Sequence, residues 1–473
     1  MSSSDLPVRE IPGSYGIPFF TPIANRLEYF YADGGRDQYF KSRVEKYQST
    51  VFRANMPPGP FVASDPKCII VLDAKSFPIL FDVSKVEKKN VFTGTYVPST
   101  QLTGGYRVLA YLDPSEPRHA QLKNLLFYLL KSSSSRVIPK FQETYTELFT
   151  SLEADLKTNG KAKFNDVGEQ AAFRFLGRAY FQVNPETTKL GKSAPTLITA
   201  WVLFSLSPQI SLGLPWFLED PIIHFFQLPP ILIKSSYQKL YDYFLPVSAP
   251  YLLYAATLGI PADEAVHNIL YAVCFNTFGG IKIQFPNTLK WLARAGSDLH
   301  VKLAKEIRTI IKTVGFGSVT TAAIELMPLM KSVVYEVLRI DPPVPLQFGK
   351  AKVDLTIESH DAQFNVKKGE MIFGYQPFAT KDPKIFDRPE EFIPDRFVGD
   401  GANLLKYVAW SNGPETEATS VDNKTCAGKD FVVLITRLFV IEFFRRYDTF
   451  TADSVDSELG ATVTITSLTK ATS

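Results

Sequence analysis

The run Asn423-Lys424-Thr425-Cys426-Ala427-Gly428-Lys429 stands between a polar loop and a long apolar segment, Phe431 to Phe444, that reads as a buried helix. A thiolate just before a helix N-terminus is stabilised by the unpaired N–H groups and the dipole there. Gly428 lets a flat group approach the backbone closely. That combination suits the axial ligand of a haem iron, because a thiolate donor pushes electron density onto the metal and favours O–O cleavage. A buried structural thiol is the ordinary reading of an arbitrary cysteine. Other segments of the chain must therefore separate the two.

The composition leaves room for a large cofactor. The chain has 473 residues, 45% of them hydrophobic and 13% aromatic, which allows a big core and a lipid-sized cavity. A net charge of +3 with interspersed signs argues against nucleic acid as a partner. The three cysteines, Cys68, Cys274 and Cys426, lie far apart, so no disulfide framework is expected and a reducing compartment is. The five histidines show no metal-ligand spacing.

Met1-Ser-Ser-Ser-Asp-Leu-Pro lacks the regions of a signal peptide. With no targeting signal in the chain as given, the expected location is cytoplasmic or peripheral on lipid or rubber particles, or the plastid if a transit peptide was removed. The longest charge-free apolar run, Leu197 to Leu218, is interrupted by Pro208, Gly213 and Pro215, so it reads as two short helices and a turn rather than a span. With Trp216, Phe217, Phe225 and Phe226 nearby, the 197–233 region permits peripheral lipid or membrane contact.

Strand character at Val51 to Asn55 and Cys68 to Leu72 gives way to helical patterns from about Pro117 to Leu338. Phe141, Tyr145, Leu148, Leu152 and Leu156 share a helical face that Gly160 ends, and another long helix starts near Asp263. Ser132 to Ser135 reads as a short loop. Alternation returns between Lys350 and Phe373, with a turn at Lys367 to Glu370, and again from Gly460 to Leu468. The expectation is a mainly α chain with small peripheral β-sheets: one domain over 1–473, β-rich at about 15–110 and helical from about 111 onward.

Glu336 and Arg339 lie three apart on one helical face, and Pro394-Asp395-Arg396-Phe397 supplies a second arginine. Alone such a pair means little. Followed by Cys426 at these separations, the set resembles the cytochrome P-450 (haem-thiolate) superfamily over nearly the whole chain. Two departures narrow the resemblance. A polar insert, Pro414 to Asn423, stretches the loop between Trp410-Ser411-Asn412-Gly413 and the cysteine. The central helix carries Cys274-Phe275-Asn276-Thr277-Phe278-Gly279-Gly280 where the superfamily has an acid–Thr pair that delivers protons to bound dioxygen. Both features, with Asn90 to Tyr96, Leu112 to His119, Gly349 to Lys352 and Asn412 to Glu417, resemble the plant fatty-acid-hydroperoxide branch, and within it the allene oxide synthases.

The resemblance implies a cytochrome P-450 fold and haem b bound through the thiolate of Cys426. Lys88, His119, Lys123 and Lys424 would bind the haem propionates, and Glu336, Arg339 and Arg396 would form a structural ion cluster that braces the cysteine loop. Asn276 would hydrogen-bond the substrate hydroperoxide, Phe92 would overhang the same pocket, and Lys282 would reach it from the same helix. The implied reaction dehydrates a polyunsaturated fatty-acid hydroperoxide, typically an 18-carbon 13-hydroperoxide, to an allene oxide that feeds oxylipin and jasmonate synthesis. It needs no O2, NADPH or reductase. The alternatives are hydroperoxide lyase or divinyl ether synthase chemistry on the same scaffold, a monooxygenase, and a non-catalytic haem protein of lipid particles.

Overall fold

A computed structural model of the chain describes residues 6–315, 317–457 and 459–472. Most of Met1 to Pro7, where no signal peptide is expected, lies outside them. Helices form the body. The longest, Pro117–Asn159, ends at Gly160, whose φ of 67° is the left-handed cap that glycine adopts without strain. Its inner face buries Phe141, Tyr145, Leu148 and Leu152, and Phe141 stacks on Tyr145 at 4.0 Å between ring centroids. Against it pack Phe164–Leu176 and the C-terminal Lys429–Arg446. The latter is buried along Val433, Leu438, Val440, Ile441 and Phe444, as an apolar run without polar period requires.

The strands lie in small separate sheets. The largest has five, in the order Val51–Asn55, Lys67–Val71, Met371–Tyr375, Leu346–Ala351, Val86–Glu87. Ile69 pairs with Ile372 in parallel, and Phe348 pairs with Phe373 antiparallel. Tyr447–Ser457 and Gly460–Lys470 form a long hairpin that Ala162–Lys163 extends. Between residues 15 and 110, strands share the chain with the helices Phe20–Tyr31 and Gly35–Tyr47. The main sheet is completed only by strands from 346–375.

Two local readings change. Ser132 to Ser135 is not a loop but part of the 117–159 helix. The hydroxyls of Ser132, Ser133 and Ser134 donate back to the carbonyls of Leu129, Leu129 and Lys131, which satisfies them inside the helix. The helix expected from Asp263 is regular over Ala262–Leu270 and Gly279–Ala295, but Tyr271–Phe278 between them is π-helical. Such wide turns collect at functional sites because they re-aim side chains.

Candidate functional site

The cysteine loop begins at a tight two-stranded ladder, Ala409–Trp410 against Gly413–Pro414. Asn412 at its tip has φ 63°, and a Cβ on Gly413 would sit 2.2 Å from Thr425 Oγ1, so only glycine fits there. Cys426 N–H donates to the Ser411 carbonyl at 3.1 Å, and the Cys426 carbonyl accepts from Lys429 N–H at 3.2 Å, where the last helix starts. Burial pushes the Cys426 thiol up. The Gly428 N–H and the ammonium groups of Lys123 and Lys429 pull the other way, toward the thiolate. Cys68 and Cys274 are wholly buried and are pushed well above the ordinary thiol range with no cation to counter it. Burial still prevails at Cys426, but of the three thiols it alone has a backbone N–H and two ammonium groups that draw it toward the anion a metal needs.

Four basic side chains converge on this loop. His119 and Lys123, on the 117–159 helix, reach the polar insert: His119 Nδ1 lies 3.1 Å from the Val421 carbonyl, and Lys123 Nζ donates to the Asn423 carbonyl at 2.7 Å. Lys424 Nζ donates to the carbonyls of Leu109 and Ala110, and Lys88 Nζ to the Phe348 carbonyl at 2.6 Å. Lys88, His119 and Lys123 are buried, yet among the described residues none of the four forms an ion pair with a carboxylate. Burial, then repulsion by Lys424, pushes Lys88 down to about 7. Burial and Lys123 push Lys424 to about 7, and burial pushes Lys123 to about 8. His119 falls to about 4 from burial and the two neighbouring lysines. Charging a buried basic cluster that the nearby carboxylates offset only in part is costly, which is why all four groups are held below their ordinary ranges. The cluster fits a dianionic group such as a pair of propionates seated beside Cys426.

The facing wall comes from the π-helical segment. Phe275 stacks on Tyr271 at 4.6 Å, and Trp201 from the Ala194–Leu206 helix meets both rings edge-on at 5.7 Å. Phe92 meets Phe275 at 6.1 Å and Tyr111 at 5.7 Å. Asn276, next to Phe275, is exposed while Cys274 and Phe278 are buried, and its amide makes no hydrogen bond among the described residues. Phe92 and the segment carrying Asn276 thus meet, although Phe92 and Asn276 are 184 positions apart in the sequence. Lys282 stands elsewhere: its ammonium sits on Glu169 Oε1 at 2.9 Å and on Thr199 Oγ1 at 2.9 Å. The wall and the cysteine loop are coupled through Asn268, whose side chain accepts from Leu109 N–H at 2.9 Å, next to the carbonyls that hold Lys424.

Behind the loop lies a second constellation. Glu336 and Arg339 are 0% exposed, and Arg396 is 9% exposed. Arg339 grips Glu336 with Nε and Nη2 at 2.7 and 2.8 Å, and Arg396 Nε reaches the same carboxylate at 2.9 and 3.1 Å. The remaining guanidinium protons go to carbonyls of Thr380, Pro389, Asp387, Arg388 and Glu391. Thr380 carries the cluster onward by donating to the carbonyls of Arg339 and Gln376. Gln376 and Gln347 then hold the carbonyls of Ala409 and Trp410, and the Gln347 carbonyl oxygen of the side chain accepts from Asn412 N–H at 3.1 Å.

Three of these residues escape sequence reasoning. Gln347 and Gln376 look like ordinary strand and turn residues. Glu415, within the quoted Asn412 to Glu417 match, is a hub that accepts from Tyr335 Oη at 2.6 Å and from Trp410 Nε1, while its carbonyl takes Lys429 Nζ. The loop carries three acids, Glu415, Glu417 and Asp422, and nothing in the sequence singles out the first.

A thiol loop of this build, a buried Glu–Arg–Arg cluster behind it and a mostly helical body define a cytochrome P450. The cytochrome P450 family model matches residues 289–468. An allene oxide synthase of Parthenium argentatum is 73% identical over 471 residues, covering all of both chains. A chloroplastic allene oxide synthase of Linum usitatissimum is 61% identical, covering 99% of this chain and 87% of its own, and one of Arabidopsis thaliana is 60% identical, covering 99% and 90%. The chain belongs to the allene oxide synthase family of the cytochrome P450 superfamily.

Proposed function

We propose that the protein dehydrates a polyunsaturated fatty-acid hydroperoxide, such as the 13-hydroperoxide of linolenic or linoleic acid, to an allene oxide, working as a single domain without O2, NADPH or a reductase. The observation that carries this reading is Asn276. It stands unpaired on a π-helical turn that carries no acid, and the neighbouring Thr277 hydroxyl is spent on the Ala272 carbonyl, so the site suits an oxidant that arrives already as a peroxide. Haem b, when bound through Cys426, supplies O–O cleavage and accepts one electron. Lys88, His119, Lys123 and Lys424 would neutralise its propionates, which relieves their own desolvation. Asn276 would donate to the hydroperoxide and hold it in register. Phe92, its ring pinned edge-on by Tyr111 and Phe275, would present a π-face to the carbon that becomes electron-poor. A contact from Lys282 to substrate would require its ammonium to leave Glu169. Several relatives are named chloroplastic, which supports a plastid location for this chain.

Pure holoprotein mixed with a 13-hydroperoxide and no reductant should convert it with neither O2 uptake nor NADPH loss. Substrate loss that tracks O2 consumption would return the monooxygenase alternative to first place. Asn276→Ala should lower turnover about ten- to a hundredfold, the worth of about 1–3 kcal/mol for one hydrogen bond to a reacting group. Full turnover with normal haem loading would make Asn276 a structural residue. Phe92→Leu should keep substrate consumption but divert product toward lyase-type aldehydes. A stabilisation of about 0.5–2 kcal/mol shifts such a partition by about two- to thirtyfold. An unchanged product ratio would leave Phe92 as packing only.

A further inference from the structure

The aromatic wall of the site continues as a line of rings that ends at the surface. Trp201, whose ring meets Tyr271 and Phe275 edge-on at 5.7 Å, also meets Tyr237 edge-on at 5.1 Å. Tyr237, on the Ile231–Val247 helix, places its hydroxyl 2.8 Å from His267 Nδ1. His267 Nε2 faces Asp263 Oδ1 at 3.6 Å, and the imidazole packs on the Tyr241 ring at 4.7 Å. Asp263 accepts from the Tyr241 hydroxyl, and its own side chain is 49% exposed. Trp201, Tyr237 and His267 are buried, so the line runs from the wall of the site to solvent.

Burial alone does not impose the Tyr237–His267 pairing. Tyr145 and Tyr243 are buried too, and their hydroxyls have no partner among the described residues. Tyr237 instead faces a base with an acid behind it. With Nε2–H directed at Asp263, Nδ1 is left to accept the phenol proton. Burial holds Tyr237 well above the ordinary phenol range, so it does not ionise before it reacts. Burial also holds His267 below its ordinary range, against the pull of Asp263, and keeps the ring neutral as an acceptor. A phenol gives up an electron readily only if its proton leaves at the same moment, because the phenol radical cation is a very strong acid. A buried tyrosine bonded to a neutral imidazole meets that condition.

We propose that Trp201, Tyr237 and His267 form a relay that carries stray oxidising equivalents from the site to the surface. The relay rests on the proposed reaction in one respect: O–O cleavage leaves the haem one electron short, and the substrate radical ordinarily returns that electron. When the radical escapes, the missing electron must come from the protein, and unguided oxidation would fall on the aromatic wall itself. In the relay it comes from Tyr237 by way of Trp201, and the haem regains its resting oxidation state. The Tyr237 O–H bond breaks, its proton moves to His267 Nδ1, and a neutral tyrosyl radical stands beside an imidazolium that Asp263 balances. A soluble one-electron donor, a thiol or ascorbate, restores the phenol through half-buried Tyr241. Its electron refills the Tyr237 ring, and His267 returns the proton. The proton that the donor gives up to solvent matches the one with which the oxygen left at the haem departs as water.

The test is freeze-quench electron paramagnetic resonance on the haem-loaded full chain mixed with peracetic acid, which oxidises the haem without any fatty-acid hydroperoxide. A tyrosyl radical is expected, with lines that narrow when the protein carries ring-deuterated tyrosine. Tyr237→Phe removes one hydroxyl and keeps the ring against Trp201, so haem content should hold while the radical disappears. His267→Gln should lower the signal severalfold, because an amide accepts the hydrogen bond but not the proton. Ascorbate should quench the radical faster in the wild type than in Tyr241→Phe. With the 13-hydroperoxide, Tyr237→Phe should keep the initial rate, complete severalfold fewer turnovers before inactivation, and accumulate oxidised Trp201 by peptide mass spectrometry. No tyrosyl signal in the wild type, or an unchanged one in Tyr237→Phe, would overturn the relay. So would a wild-type signal in His267→Gln, which would reduce the imidazole to packing. Peracetic acid bypasses the fatty-acid substrate, so failure of the relay and failure of the proposed reaction are separable.

Discussion

Glu336→Ala is expected to leave little folded, haem-loaded protein. The carboxylate is fully buried and takes four guanidinium contacts from Arg339 and Arg396, together with the Ile393 N–H. Removing it strands two buried cations whose other protons already have carbonyl partners, and breaking a buried pair in this way costs about 3–5 kcal/mol. A domain is stable by only about 5–15 kcal/mol in total, so the loss takes a large share. The effect should also travel, because Arg339 is tied through Thr380 to Gln376, and Gln376 and Gln347 hold the strand from which the cysteine loop springs. Denaturant midpoint and haem content should fall together. Arg396→Lys should recover only part of the loss, since an ammonium cannot reproduce the forked contacts. Lys367→Gln, which breaks the exposed pair with Asp354, should leave both readouts within error. A Glu336→Ala protein with a wild-type midpoint and full haem would show that the cluster is dispensable.

The same cluster shows what a sequence carries and what it withholds. Glu336 and Arg339 announce themselves by spacing on one helix, and Arg396 follows from a motif. The path from them to the cysteine does not, because Gln347, Gln376 and Glu415 act by where folding places them. Local period was a good guide to elements. Leu355–Glu358 and Gln363–Val366, inside the alternating stretch, bury alternate residues, and Phe431 to Phe444 lacks any polar period because its helix is surrounded. Pairing was not legible: nothing near Ile69 states that its neighbour is Ile372. Nor was the π-helical turn at Tyr271–Phe278, whose apolar pattern would suit an α-helix equally well. Ser132 to Ser135 misleads for a different reason. Serine favours loops because its hydroxyl competes for backbone groups, and here that competition is resolved within the helix. Exposure of Leu212 to Leu218 was the least readable feature, since an apolar run is ordinarily a buried one.

Cys426→Ala should abolish turnover and the thiolate-type red-shifted Soret band of the reduced carbon monoxide complex, while the fold survives. The reasons lie in which bonds the residue makes. Its hydrogen bonds to Ser411 and Lys429 are main-chain bonds that alanine keeps, and its side chain is only partly buried, so little packing is lost. What disappears is the sulfur itself, the one thiol here that the Gly428 N–H, Lys123 and Lys429 draw toward its anion. Without it, any haem that remains should be held by the four basic groups alone and should lose the electron donation that promotes O–O cleavage. Cys68→Ala and Cys274→Ala reverse the pattern. Both thiols are buried and forced toward the neutral form, so each variant should lose about 1 kcal/mol of stability through lost packing and keep the wild-type spectrum. Circular dichroism, haem content and the carbon monoxide spectrum on the three variants separate ligation from packing. A Cys426→Ala protein that retains the red-shifted band would remove the thiolate from the iron. The polar loop, its lysines and the helix behind it would then need another purpose.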